Sequence, residues 1–299
     1  MSERTEQRPL FEAPASPHEA KPFVKWVGGK RKLVPLFRQM GVFPPSGFDP
    51  NGGTYFEPFL GGGAAFFALI PPKASLFDMN AELINAYTVV RDDVEALIRE
   101  LTGGYYVYAK DRYLEIRSAP KHRTLSSLEA AARFIYLNRT GFNGLYRVNR
   151  KGEFNVPFGR YANPQICDED GLRSSSAALR GADLQRTSYQ AVLDRAVAGD
   201  FVYFDPPYYP VSATASFTSY TSDVFMEREQ EELRDVYRTL AQRGCYVLLS
   251  NSYTPFIREL YEPLRTEGIT VHSIEAARAI NSNASKRGKV PEALVANYE

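Results

Sequence analysis

The sequence predicts an α/β protein, with a mostly parallel sheet flanked by helices and an inserted, mainly helical segment. Three observations predict it. Short apolar runs alternate with helical runs over most of the chain, the pattern of a parallel sheet covered on both faces. That rhythm breaks between residues 104 and 181, where the chain turns helical and aromatic and then rich in Gly, Asn and Arg. Two apolar runs, "ASLFD" and "FVYFD", end in an acid, and a third, "TYFEPF", runs into three glycines. In open α/β sheets such residues stand where strands end and ligands bind.

Taken in order, "TYFEPF" at 54–59 reads as a short strand and "AAFFALI" at 64–70 begins a helix. "ASLFDMN" at 74–80 reads as the next strand, followed by one helical run, "AELINAYTVVRDDVEALIREL". Residues 105–140 read as mostly helical, and 141–163 as turns with short strand-like pieces. Strands return at "LQRTSY", "FVYFD", "CYVLLSN", "TVHSIE" and "ALVANYE", with a helix near Glu227–Arg243. The expected organisation is a flexible leader over 1–20, a main domain from 21–103 and 182–299, and the insertion at 104–181.

The 299 residues are 44% hydrophobic and 24% charged, an ordinary globular balance. No apolar run reaches the ~18–20 residues of a membrane span. The polar N-terminus lacks a signal-peptide core, and Cys167 and Cys245 are too far apart, without clustered His, for a zinc site or disulfide framework. Those features point to a reduced cytoplasm. The net charge is only +1, yet Lys21–Met40 holds six basic residues and no acid, and Lys110–Tyr161 holds eleven against four acids. Such segments fit either a polyanion-binding face or solvated helix surfaces.

"FEPFLGGG" places Gly61, Gly62 and Gly63 after a strand, where absent β-carbons let the backbone pass close beneath a ligand. It is neither a P-loop nor GxGxxG, and a tight turn with a helix cap is the alternative. Asp78 ends the next strand and is placed to accept from ribose hydroxyls. "DPPY" at 205–208 admits three readings: a stiff loop, a metal site without nearby partner ligands, or a clamp for an aromatic amine. The clamp uses every residue. A carboxylate and a proline carbonyl accept both amine hydrogens, and the tyrosine stacks on the ring for about 1–3 kcal/mol.

At this point the sequence resembles the Dam-type DNA adenine N6-methyltransferases over roughly 22–299. "FVKWVGGKRKL" at 23–33, "FEPFLGGG", "DMN" at 78–80 and "DPPY" follow that family's order. "LNRTGFNGLYRVNRKGEFNVPFGRY" at 137–161 is similar to the recognition segment of the enzymes that methylate adenine in GATC, and "SATASFTSY" at 212–220 to the loop after their catalytic motif.

The resemblance implies a Rossmann-like methyltransferase domain with an inserted target-recognition domain. The enzyme would be a monomer acting on double-stranded DNA, with S-adenosylmethionine as donor and no metal. Trp26, Lys30, Phe59, Gly61, Gly63, Asp78 and Asp205 would form the donor site. Asp205 and the Pro206 carbonyl would hold the N6 amine of an extruded adenine, stacked on Tyr208. Lys25, Leu145, Arg147, Pro157 and Tyr161 match target-contacting positions. Phe142 stands where a wedging tyrosine is usual, and Asn143 beside the orphaned thymine. Arg139, Arg150, Lys151 and Arg160 would meet phosphates. Plain core roles for Trp26 and Phe59, and a phosphate role for Arg147, are the competing assignments. Rival functions are cytosine-N4 methylation, RNA or protein methylation, and catalytically silent DNA binding. Retention of both the glycine loop and DPPY weighs against the last.

Overall fold

The computed structural model describes residues 20–118, 125–211, 225–277 and 289–299. Most of the expected leader and the whole of 212–220 lie outside them. The seven strands are β1 (Tyr55–Glu57), β2 (Ala74–Phe77), β3 (Ala182–Gln185), β4 (Phe201–Phe204), β5 (Tyr246–Ser252), β6 (Thr270–Ala277) and β7 (Lys289–Ala296). They form one sheet in the order β3-β2-β1-β4-β5-β7-β6, parallel except that β7 runs antiparallel to both its neighbours.

Alternation along the strands explains how both faces are covered. Tyr55, Leu76, Phe201, Tyr203, Leu248 and Leu294 join one core. Their neighbours Phe56, Phe77, Val202, Phe204, Val247, Leu249 and Val295 join the other. The first core is closed by α1 (Val34–Gln39), α2 (Ala64–Leu69), α3 (Ala81–Asp92), α4 (Val94–Thr102), α5 (Lys110–Arg117), α6 (Ser127–Thr140) and α7 (Glu169–Leu179). The second is closed by α8 (Glu227–Gln242) and α9 (Pro255–Tyr261).

The single helical run expected after "DMN" is two helices, because Asp93 leaves helical geometry at φ −145°. Residues 141–163 form a 3-10 turn at Phe142–Gly144 and two isolated bridges, Gly141–Phe158 and Val148–Phe154, rather than strands. The order of the sheet sets the site. From β1 the chain first builds outward to β2 and β3, then crosses back to lay β4 on β1's other side. Parallel pairing of Tyr55 with Phe201 and Phe56 with Val202 makes the two strands end side by side. A crevice opens at such a reversal point.

Candidate active site

β1 delivers the glycine loop to this crevice, β2 delivers Asp78, and β4 delivers Asp205–Tyr208. All three line one cleft of about 2400 Å³.

Asp78 organises the donor side. Its Oδ2 accepts from the Gly61 N–H at 3.0 Å and its Oδ1 from the Asn80 N–H at 2.9 Å. Asn80 in turn caps α3 by accepting from the Glu82 and Leu83 N–H groups. Burial raises the Asp78 pKa, against the pull of those backbone donors. Gly61 (φ +48°) and Gly63 (φ +66°) adopt left-handed geometry that suits glycine. A β-carbon on Gly61 would lie 2.7 Å from Trp26 Cδ1, and one on Gly63 2.7 Å from the Tyr87 hydroxyl. The absent β-carbons at these two positions thus also make room for the protein's own rings, while the loop lines the cleft. Phe59 stacks on Tyr189 at 5.2 Å between centroids and meets Phe225 edge-on, an aromatic wall to the same cleft.

Asp205 is held by two groups. Lys30 Nζ lies 2.6 Å from its Oδ1, and the Ser250 hydroxyl donates to the same oxygen at 3.0 Å. Lys30 also donates to the Gly28 carbonyl at 2.6 Å and sits 4.5 Å from the centroid of the Tyr208 ring. Burial pushes the Asp205 carboxyl up, while the Lys30 charge and the hydrogen bonds pull it down. The DPPY backbone is tied from two elements. Gln230 of α8 donates to the Pro207 carbonyl at 3.0 Å and accepts from Asn251 of β5 at 2.9 Å. Asn251 accepts from the Tyr209 N–H at 3.1 Å, and the Ser252 hydroxyl donates to the Tyr209 carbonyl at 2.6 Å. The Tyr208 hydroxyl donates to Glu292 at 2.8 Å.

Beneath the loop, Glu57 is 2% exposed and accepts from the Tyr55 hydroxyl at 2.8 Å and the Phe66 N–H at 2.9 Å. Burial, with the nearby Asp205 charge, raises its pKa to about 8.

The segment at 141–163 meets this cleft along one edge. Arg147 lines it, with its Nε donating to Asn155 Oδ1 at 2.7 Å and an Nη to the Asn155 carbonyl at 3.1 Å. Tyr146 stacks on Trp26 at 5.8 Å, tying the segment to the glycine loop. A second group gathers around the turn at 141–145. Asn138 accepts from the Lys25 N–H at 2.8 Å and donates to the Lys25 and Gly144 carbonyls. Lys25 Nζ lies 4.0 Å over the Tyr161 ring, and the Tyr161 hydroxyl donates to the Gly141 carbonyl. The Phe142 N–H donates to the Pro157 carbonyl at 2.8 Å, leaving the Phe142 ring 48% exposed. Asn143 is left-handed at φ +54°, and Leu145 packs partly against the core. Arg160 is exposed. Arg139 is half-buried beside Cys167 and Asp168, and its enclosed Nε has no hydrogen-bond partner among the described residues. A phosphate contact is thus left to its other guanidinium nitrogens.

Residues 26–280 match the family described as D12 class N6 adenine-specific DNA methyltransferase. The chain belongs to that family. It is 43% identical to the Type II methyltransferase M1.LlaDCHI of Lactococcus lactis subsp. cremoris, covering 93% of this chain and 95% of that one. It is 39% identical to the Type II methyltransferase M.MjaIII of Methanocaldococcus jannaschii, covering 94% and 100%. With the DNA adenine methylase of Escherichia coli it shares 35% identity, covering 91% and 93%.

This adenine-specific DNA methyltransferase implies S-adenosylmethionine as methyl donor, and its residues fit that molecule. Asp78 retains accepting capacity beyond its two backbone donors, as a carboxylate offers about four lone-pair sites. The Phe59–Tyr189–Phe225 wall offers ring faces for a nucleobase beside that acid. Among the described residues no helix is long and apolar enough to cross a membrane. Sequence reasoning missed Glu57, Gln230, Ser250, Asn251 and Glu292. The usable signal was a polar residue inside an apolar strand, as in "YFEPF", "LLSNS" and "PEALVA".

Proposed function

We propose that the enzyme methylates N6 of an adenine turned out of duplex DNA, within GATC, and acts as a monomer. The observation that carries this reading is the shared cleft. The glycine loop with Asp78, the Asp205–Tyr208 corner and Arg147 of the recognition segment all line it. A donor, an extruded base and a base-reading arginine would then be neighbours.

When bound, S-adenosylmethionine supplies an electrophilic methyl group. Asp78, Phe59 and the glycine loop bind its nucleoside part. Asp205 and the Pro206 carbonyl accept the two N6 hydrogens, which turns the amine's lone pair outward. Tyr208 stacks on the ring and fixes its plane. Lys30 lies against Asp205 and favours its ionised, accepting form, and the carboxylate's part is to orient the amine rather than to deprotonate it first. Orientation of this kind accounts for as much as roughly 7–11 kcal/mol of barrier lowering.

The GATC assignment is supported by the likeness of residues 137–161 to the recognition segment of GATC-methylating enzymes. Base extrusion costs a few kcal/mol. The exposed Phe142 ring, beside the left-handed Asn143, is suited to fill the gap left in the stack. A duplex carrying 2-aminopurine at the target adenine tests extrusion. Binding should raise its fluorescence severalfold, and the Phe142→Ala variant should weaken that rise. Unchanged emission on saturating binding would contradict extrusion.

A further inference from the structure

Glu292 is a buried acid on the one antiparallel strand of the sheet. β7 pairs on both sides, with Glu292 opposite Ser252 of β5 and Ile274 of β6, so its backbone is fixed from two directions. The side chain lines the cleft and is 8% exposed. A buried carboxylate costs free energy unless strong hydrogen bonds offset its desolvation. The Tyr208 hydroxyl donates to it at 2.8 Å, a charge-assisted bond.

The other ties at this corner act elsewhere. Gln230 and Asn251 hold the backbone of residues 207 and 209, and Ser250 and Lys30 hold Asp205. Lys30 also sits 4.5 Å from the centroid of the Tyr208 ring, and the tether from the Tyr208 hydroxyl to a rigid strand adds the hold on its tilt. Burial and the neighbouring carboxylates hold the Tyr208 phenol well above its usual pKa, so it remains a donor.

We propose that Glu292 is a positioning residue for methyl transfer, fixing the plane of the Tyr208 ring against which the target adenine stacks. This rests on the reading that Tyr208 stacks on that adenine.

The test measures labelled-methyl turnover at saturating donor and DNA, together with donor KM, in Glu292→Leu, Glu292→Gln, Tyr208→Phe and the Leu/Phe double variant. Glu292→Leu and Tyr208→Phe should each lower kcat by about 10- to 100-fold, the scale of one charge-assisted hydrogen bond. Donor KM should stay within about threefold, because the tether touches the adenine side. The double variant should be no slower than the slower single, since both changes cut the same bond. Glu292→Gln keeps an acceptor oxygen and should recover most of what leucine loses. Multiplicative losses in the double variant would overturn the proposal. So would full kcat in Tyr208→Phe, which keeps the ring and does not depend on the leucine variant folding. Tyr208→Ala separates the two ideas. If it keeps full turnover, the stacking reading itself has failed. If it is inactive while Tyr208→Phe is unimpaired, stacking stands and the tether falls.

Discussion

Lys30 Nζ lies 2.6 Å from Asp205 Oδ1 and 4.5 Å from the Tyr208 ring centroid. One ammonium, itself only 5% exposed, therefore touches the acid and lies over the ring of Tyr208. It offsets part of the rise that burial imposes on the Asp205 carboxyl.

Replacing Lys30 by methionine should expose that balance. Asp205 would lose its cation, its pKa would rise further, and less of it would be ionised at neutral pH. The acid limb of the kcat–pH profile should shift to higher pH, so the loss is larger at pH 6.5 than at pH 8.5. Leaving the acid unpaired should also cost about 3–5 kcal/mol of stability, read from urea midpoints. An unshifted acid limb would remove Lys30 from this role.

Glu57 predicts how stability depends on pH. Its folded pKa of about 8 stands above the 4.5 of a free glutamate. Between those values the folded state holds a proton that the unfolded state has released, so stability falls as pH rises through the window. The slope contributed is up to ~1.4 kcal/mol per pH unit. Glu57→Gln should flatten the curve between pH 5 and pH 8. Parallel curves for the two proteins would mean that Glu57 is ionised when folded.

Gly61→Ala should disturb the donor side through Trp26. The new β-carbon would sit 2.7 Å from that ring at a φ of +48°. Overpacking of this kind costs typically about 1–3 kcal/mol, with the left-handed backbone adding to it. Thermal denaturation should show the loss, and titration with S-adenosylmethionine should show weaker binding. Unaltered donor affinity would mean that Trp26 yields without moving the loop.

Arg147 is held by two hydrogen bonds to Asn155, which aims its guanidinium at the cleft. As a guanine reader it should contribute about 1–3 kcal/mol of discrimination. Arg147→Ala should therefore relax preference at one base pair while non-cognate binding changes little. As a phosphate contact it would instead weaken all sequences alike and lower the salt slope by about one. Competition binding with single-base variants of GATC, repeated at two salt concentrations, separates these outcomes.

The parts of the site that were legible in the sequence are those punctuated locally. Asp78, Asp205 and the glycines stand directly after apolar runs, so their place at strand ends follows from the chain alone. What stayed hidden depends on sheet order. Glu292 reaches Tyr208 across 84 residues, only because β7 inserts antiparallel between β5 and β6. Asn251 and Gln230 meet at the DPPY turn because β5 lies beside β4 with α8 across the second core. The break at Asp93 has a local signal, an Asp preceding "VEALIREL", but helical pattern continues on both sides of it and masks the interruption. A further reason for glycine at positions 61 and 63 stayed hidden as well. Crowding by Trp26 and Tyr87 comes from segments 35 and 24 residues away, which no local pattern reports.

The most direct test is transfer of labelled methyl from S-adenosylmethionine to two duplexes that differ only in carrying GATC or GTTC, with Asp205→Ala as control. The account predicts N6-methyladenine in the GATC duplex alone. It also predicts that Asp205→Ala binds donor normally but loses nearly all turnover. N6-methyladenine formed equally in a duplex lacking GATC, or comparable kcat in Asp205→Ala, would contradict it.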